Sequence, residues 1–286
     1  MAKMLAGKEV VASMAADLRS RVEACKAAGT DPALAIVRLG ERPDDLSYER
    51  TASKRAEALG IGIKPYVLEE FAPQQALQAT IRSINHDATV HGCLLFRPLP
   101  SFIDERAMCD LLDVRKDIDG VSMESLAAVF ADSPKGFPPC TAAACLRMLD
   151  HHGIPIAGKH VVVIGRSLVI GKPVAMMLLA RNASVTICHS KTENLPRICK
   201  SADIVVCATG RPRAFGPQYF SPGQTVLDVG INFDTQGRLC GDVDFDAVEP
   251  IVGAITPVPG GLGSVTTSIT MEHTVRAAER VVEARS

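Results

Sequence analysis

The residues whose types and spacing most plainly carry chemistry lie in Val161–Pro173, VVVIGRSLVIGKP. A short run of valine and isoleucine fits a strand buried on both faces, and Gly165 and Gly171 let backbone approach a bulky ligand. Backbone N–H groups opening the next helix can receive pyrophosphate oxygens, so the segment reads as the phosphate turn of a dinucleotide site. Ser167 stands where GxGxxG carries its middle glycine, so the motif is matched in part, and a plain strand-to-helix turn is the alternative. The next strand, Ala183–Cys188, ends in His189, Ser190 and Lys191 with no Asp or Glu to hold ribose hydroxyls. Arg166, Ser190 and Lys191 offer two cations and a hydroxyl, which suits the extra phosphate of NADP better than NAD; solvated loop cations are the alternative.

These segments need a scaffold, and the remaining pattern supplies one. Helical spacing over Val10–Ala27 precedes a buried strand, Ala33–Leu39. A helix over Leu46–Leu59 is ended by Gly60, and the strand Ile63–Leu68 follows. A helix over Pro73–Asn85 leads to the strand Val90–Leu95 and a proline-rich loop. After KDIDG and GFPPCT break the periodicity comes the helix Ala142–His151, then separate short strands within VVVIG, ASVTIC, ADIVVCATG, QTVLDVGIN and GDVDF. Val265–Arg285 reads as a long terminal helix whose apolar face must cover a surface. The order predicts an α/β protein of two domains with mainly parallel sheets and ligands beyond the C-terminal strand ends.

At 286 residues the chain has material for two cores. A net charge of −1 without long charged blocks argues against a nucleic-acid or electrostatic membrane partner. No run approaches the roughly 20 apolar residues needed to span a bilayer, and the N-terminus has no secretion segment. The nine cysteines lack paired metal-ligand spacing, so no metal and a reducing cytoplasmic location are expected. His189 beside Cys188 lacks further ligands, and His151 with His152 reads as a helix-end pair.

Taken in order, GRSLVIGKP, VTICHSKT, ADIVVCATG, VLDVGIN, GDVDF and TPVPGGLG resemble the bifunctional methylenetetrahydrofolate dehydrogenase/cyclohydrolase family, with matches from about Leu39 to Thr274. The resemblance implies a folate-binding catalytic domain (1–140), a Rossmann-like NAD(P)-binding domain (141–264), a C-terminal helix (265–286) returning to the first domain, and a homodimer. It implies that Tyr48 positions the pterin and assists the one-carbon unit, and that Asp119 of KDIDG recognises amino or ring N–H groups. A core tyrosine and an ordinary acidic turn through Asp117 and Asp119 are the alternatives. Phe96, Pro98 and Leu99 in the proline loop and Pro259, Gly260 and Gly261 in PVPGGLG are implied to meet folate. Thr141, Gly165, Arg166, Ser167, Ile170, Gly171, His189, Ser190, Lys191, Thr209, Gly210, Gly230, Asn232 and Asp242 are implied to meet the cofactor.

Two departures from the family pattern bear on chemistry. Ala52 stands four residues after Tyr48, where the family carries lysine, and Phe96 replaces the glutamine of QLPLP. Tyr48 and Ala52 share a helix face, whereas Lys54 is turned well away and reads as solvated. Alanine cannot move a proton, a phenyl ring makes no directed hydrogen bonds, and the permanent cation of Arg97 is a poor general base. Hydride transfer needs alignment and no side-chain nucleophile, while methenyl hydrolysis needs proton movement. The expectation is therefore a NADP-dependent dehydrogenase with weak or absent cyclohydrolase activity. The alternatives are the ordinary bifunctional enzyme, another folate one-carbon enzyme, a cofactor sensor without turnover, or a structural protein.

Smaller departures concern packing. Ala142 and Ser264 replace prolines of the family pattern, suggesting a changed hinge and loop closure. Cys140 reads as a buried small residue before a nucleophile, and Thr266 and Thr267 as caps of the terminal helix.

Overall fold

The computed structural model describes residues 1–285. In chain order the elements are β1 (Lys3–Met4), α1 (Gly7–Ala27), β2 (Ala33–Leu39), α2 (Pro43–Leu59), β3 (Gly62–Leu68), α3 (Gln74–His86) and β4 (Gly92–Leu95). There follow α4 (Glu105–Leu111), α5 (Met123–Phe130), α6 (Cys140–His151), β5 (His160–Ile164), α7 (Gly171–Ala180), β6 (Ser184–Cys188), α8 (Leu195–Lys200) and β7 (Ile204–Cys207). The chain finishes with β8 (Thr225–Asp228), β9 (Asn232–Phe233), β10 (Leu239–Cys240), α9 (Phe245–Val248), β11 (Ala254–Ile255) and α10 (Leu262–Glu283).

Two compact units emerge, Met1–Ala12 with Thr141–Thr266, and Ser13–Cys140 with the chain from Thr267 onward. The assignment of residues 1–12 to the first domain is thereby corrected. Lys3 and Met4 pair in parallel with Ala254 and Ile255, so backbone hydrogen bonds tie the N-terminus to the second sheet. The sequence showed no strand there because two residues are too few for a pattern.

In the first-mentioned unit a six-stranded sheet has the order β1-β11-β8-β7-β5-β6, parallel throughout. Its inner strands are buried on both faces, as at Val161, Val162, Val163, Val205, Val206, Val226 and Leu227, which is why they read as unbroken apolar runs. The chain leaves β5 through α7 to β6 on one side, then crosses back through α8 to β7 on the other. The C-terminal end of β5 is therefore the switch point, where such sheets open a ligand crevice. The expected strand in GDVDF is corrected: Val243 makes a single bridge to Phe215 and the segment turns into α9.

The other unit has a three-stranded parallel sheet, β3-β2-β4, with β2 buried along its length. Leu77, Ile81 and Ile84 recur at helical spacing on α3 and join Val37, Leu95 and Met108 in its core. Gly60 takes the left-handed conformation that ends α2. From Thr267, α10 is fastened within this unit by Arg21 to Glu279 at 2.7 Å and by the Arg280 guanidinium 4.4 Å over the Phe137 ring.

Candidate active site

In the six-stranded unit the cofactor residues expected from sequence stand at the C-terminal ends of adjacent strands: Gly165 after β5, His189 after β6, Thr209 after β7 and Gly230 after β8. Gly165 has φ +134°, and a Cβ there would lie 2.2 Å from the Ala208 carbonyl oxygen, so the turn excludes larger residues. Ser167 uses the place of the missing glycine differently: its hydroxyl accepts from the Ile170 N–H at 3.2 Å and shapes the entry to α7. Arg166 is exposed beside it, as are Ser190 and Lys191 beyond β6. The His189 ring braces that loop, Nδ1 accepting from the Lys191 N–H at 3.2 Å. The three residues that follow β6, His189, Ser190 and Lys191, include no carboxylate. Exposed cations there fit a phosphate-bearing nucleotide.

Asp242 has another role than the cofactor contact expected of it. It is fully buried, and its carboxylate accepts from the N–H groups of Thr209, Gly210 and Arg211, the Thr209 hydroxyl and the Asn232 amide. With five donors its acceptor capacity is filled, so it sets the 209–211 loop in place from behind. Asp228 beneath it accepts from the N–H groups of Gly230, Asp242 and Val243. Burial pushes Asp228 up to about 6 against those hydrogen bonds. Gly241 packs so closely that a Cβ would lie 1.9 Å from Asp228 Oδ2.

Pro259, Gly260 and Gly261 lie in the loop opening α10, where the Gly260 carbonyl accepts from the Gly7 N–H at 2.8 Å. Thr141 begins this unit within the first turn of α6. The expected caps are corrected too: α10 starts at Leu262, so Thr266 and Thr267 sit inside it. Thr266 donates back to the Leu262 carbonyl at 3.2 Å.

In the three-stranded unit, Tyr48 on α2 and Phe96 just past β4 meet with ring centroids 5.6 Å apart. The Tyr48 hydroxyl is hydrogen-bonded to the Thr270 and Thr267 side chains. Burial, then the charge of Asp119, hold its phenol well above the ordinary value, so it is neutral near pH 7. Ala52 follows on the same face of α2 and is fully buried. Lys54 is exposed, while Arg55, farther along, bonds the Ser268 hydroxyl on α10.

The two acids of KDIDG divide their work. Asp117 is fully buried and accepts from the N–H groups of Val121 and Ser122 and from the Ser122 hydroxyl, which folds the turn. Asp119 keeps a quarter of its side chain exposed, and Arg97 Nη2 lies 3.5 Å from its Oδ2. Burial raises Asp119 from the ordinary carboxylate value and Arg97 opposes this. Cys140 is fully buried, its Sγ 3.1 Å from the Ile118 carbonyl and 3.7 Å from His273 Nδ1. His273 Nδ1 is itself 2.8 Å from that carbonyl, so the ring donates there and does not take the thiol proton. Burial pushes the thiol far up, leaving it a packing group.

Leu99, expected to meet folate, turns its side chain into the core. Its N–H donates to Glu105 at 2.8 Å, while Pro98 is exposed and its carbonyl accepts from Arg42 at 2.8 Å. Sequence reasoning missed Thr270, Ser268, His273 and Arg55 altogether. A signal existed: Thr267, Thr270 and Thr274 recur at helical spacing along α10, and all three are buried. The described residues contain no group of three His, Cys, Asp or Glu side chains that could hold a metal. They also contain no helix long and apolar enough to cross a membrane.

Profiles of the tetrahydrofolate dehydrogenase/cyclohydrolase catalytic domain and NAD(P)-binding domain match residues 5–119 and 139–282 respectively. The chain belongs to the tetrahydrofolate dehydrogenase/cyclohydrolase family. The bifunctional protein FolD of Carboxydothermus hydrogenoformans is 49% identical over 281 residues, covering 98% of both chains. Among solved structures, the bifunctional FolD methylenetetrahydrofolate dehydrogenase/cyclohydrolase of Campylobacter jejuni superposes with TM-score 0.96 at 34% identity, over 98% of this chain and 100% of that one. The Trypanosoma brucei FolD enzyme, solved with NADP and an inhibitor, gives 0.92 at 32% identity over 98% of each chain. Within this family the six-stranded unit is the NAD(P)-binding domain and the three-stranded unit the catalytic one.

Proposed function

We propose that the protein oxidises 5,10-methylenetetrahydrofolate with NADP and has weak or absent cyclohydrolase activity. The observation that carries this reading is the apolar pair on the Tyr48 face, a fully buried Ala52 and the Phe96 ring against the phenol. NADP supplies the hydride acceptor when bound; Gly165, Ser167 and the strand-end loops would hold its phosphates, and Arg166 and Lys191 its extra phosphate. Asp119 accepts from pterin N–H groups, Tyr48 orients the one-carbon centre through a neutral hydroxyl, and Phe96 keeps water from that centre. Nothing at positions 52 and 96 takes or gives a proton, so addition of water to the methenyl bridge lacks its general catalyst.

A second reading, an enzyme that keeps both steps, has the overall likeness on its side, since relatives named bifunctional match at 49% and 47% identity over 98% of this chain. Product analysis separates the two. With methylenetetrahydrofolate and NADP, cofactor reduction with methenylfolate accumulating above the no-enzyme control supports the dehydrogenase reading. Rapid enzyme-dependent formylfolate formation supports the bifunctional one. The homodimer and NADP preference belong to the same proposal, tested by light scattering and by parallel assays with NAD.

A further inference from the structure

We propose that Arg97 is a positioning residue for folate recognition, its guanidinium holding the Asp119 carboxylate ionised and aimed at the pterin N–H groups. The inference rests on the folate reading above and gives a role to a residue which that reading leaves idle.

Arg97 follows β4 by two residues, with Nη2 3.5 Å from Asp119 Oδ2 and Nη1 3.7 Å from Glu105 Oε1. The loop is tied on both sides of it: Pro98 gives its carbonyl to Arg42, and Leu99 gives its N–H to the other Glu105 oxygen, each at 2.8 Å. These ties fix the backbone on which the guanidinium is carried, and its side chain is four-fifths buried. Its Nε is buried without a partner, a costly arrangement for a group that water would otherwise satisfy. Packing alone gives no reason to place a cation there; the neighbouring carboxylate does.

Asp119 is faced by Tyr48 from α2, by Cys140 from α6 and by Asp117 from its own turn, while Thr270 and His273 of α10 reach Cys140 behind it. The Cys140 thiol and N–H hydrogen-bond to Asp119 and favour its charged form, but burial and the neighbouring Asp117 carboxyl disfavour it. Arg97 opposes them. A carboxylate accepts at both oxygens and so matches amino and ring N–H donors, whereas a protonated one presents a mismatched O–H.

The test is tetrahydrofolate binding by calorimetry at pH 6 and pH 8, for wild type, Arg97→Leu, Arg97→Lys, Asp119→Asn and the Arg97→Leu/Asp119→Asn double variant. The expected result is that the Kd ratio between pH 6 and pH 8 is about fivefold larger in Arg97→Leu than in wild type, as loss of a nearby opposite charge predicts. Arg97→Lys, which keeps the charge and much of the bulk, recovers most of that difference, and the double variant shows no more pH dependence than Asp119→Asn. Equal weakening of Arg97→Leu at both pH values, or a steep profile persisting in the double variant, overturns the proposal. Turnover with methylenetetrahydrofolate and NADP is read separately. Wild type that binds tetrahydrofolate without reducing NADP refutes the proposed function while the binding series still decides the role of Arg97.

Discussion

The proposed loss of cyclohydrolase chemistry is tested most directly by putting the proton-moving groups back. Ala52→Lys introduces an amine on the Tyr48 face at a position with no exposure, and Phe96→Gln removes a ring that is 5% exposed and packed at a tilt against Tyr48. Alone, Phe96→Gln loses most of a buried aromatic side chain, which costs about 2–3 kcal/mol once the retained methylenes are allowed for. Ala52→Lys alone overpacks the site and buries a cation without a partner, for about 3 kcal/mol or more. Together the amine gains the space the ring vacates and an amide to bond, so the double variant is expected to be more stable than the sum of the two losses by at least about 1 kcal/mol. Urea denaturation of the four proteins measures this coupling. The decay of methenyltetrahydrofolate absorbance, against buffer alone, measures the chemistry, and a gain of about 100-fold in hydrolysis is expected of the double variant, the lower end of what a placed general acid–base supplies. Additive destabilisation together with hydrolysis unchanged from wild type, while NADP reduction survives, would falsify the argument. So would rapid methenyl hydrolysis by the wild type.

Four further outcomes follow from the same structure. Lys54→Ala leaves cofactor reduction and methenyl hydrolysis within about twofold of wild type, because an exposed lysine on another face of α2 touches neither reacting group; a larger fall in kcat/KM for hydrolysis would revive the bifunctional reading with Lys54 as its base. Lys191→Asp lowers kcat/KM for NADP by about tenfold or more and leaves NAD nearly untouched, the cost of a charge-assisted phosphate contact turned repulsive; an equal loss with both cofactors refutes the assignment. Asp242→Ala orphans the donors of Thr209, Gly210 and Arg211, so melting falls by the equivalent of about 3 kcal/mol or more and NADP binding weakens with it; unchanged Tm removes it from its positioning role. Asp228, held up to about 6 when folded against a free value near 3.9, contributes stability that is whole below about pH 4 and is lost as pH rises through 6, about 3 kcal/mol in all. Urea titrations from pH 4 to 8 should show this slope in wild type and lose it in Asp228→Asn; parallel curves would show that the carboxylate ionises normally.

Most of the scaffold was legible in the sequence because the inner strands of both parallel sheets are buried on two faces, and such strands advertise themselves as short apolar runs rich in valine, isoleucine and leucine. What was not legible depends on distance along the chain. The pairing of Lys3 and Met4 with Ala254 and Ile255 leaves no local trace, so the N-terminus was placed in the wrong unit. The family resemblance implied that Asp242 meets the cofactor; only the fold shows that its carboxylate faces inward to donors 31 to 33 residues away. Leu99 and Pro98 are adjacent in a loop that sequence treats as one surface, yet one side chain enters the core and the other stays out. The Tyr48 surroundings were half visible. Ala52 and Phe96 declared themselves as departures from a family pattern, whereas Thr267 and Thr270 reach Tyr48 from more than 200 residues away.

The two reactions of this family make unequal demands on protein side chains, and that inequality gives the departures at 52 and 96 their meaning. Hydride transfer asks for two ligands held face to face, and on the proposed reading the strand-end turn at Gly165 and the Asp242-braced loop would serve the cofactor, and Asp119 with the Tyr48 and Phe96 rings the pterin. Hydrolysis asks in addition for water beside the reacting carbon and a group that changes protonation near neutral pH. The Tyr48 phenol is held neutral and the Cys140 thiol is buried and protonated, and a guanidinium is by nature a poor general base. On the proposed reading, the apolar residues at 52 and 96 leave the Tyr48 face without the proton carrier that hydrolysis needs, and by excluding water they would favour the first reaction over the second. A site that had decayed by neglect would be expected to lose the Tyr48 clamp and the Asp119 turn as well, and both are intact.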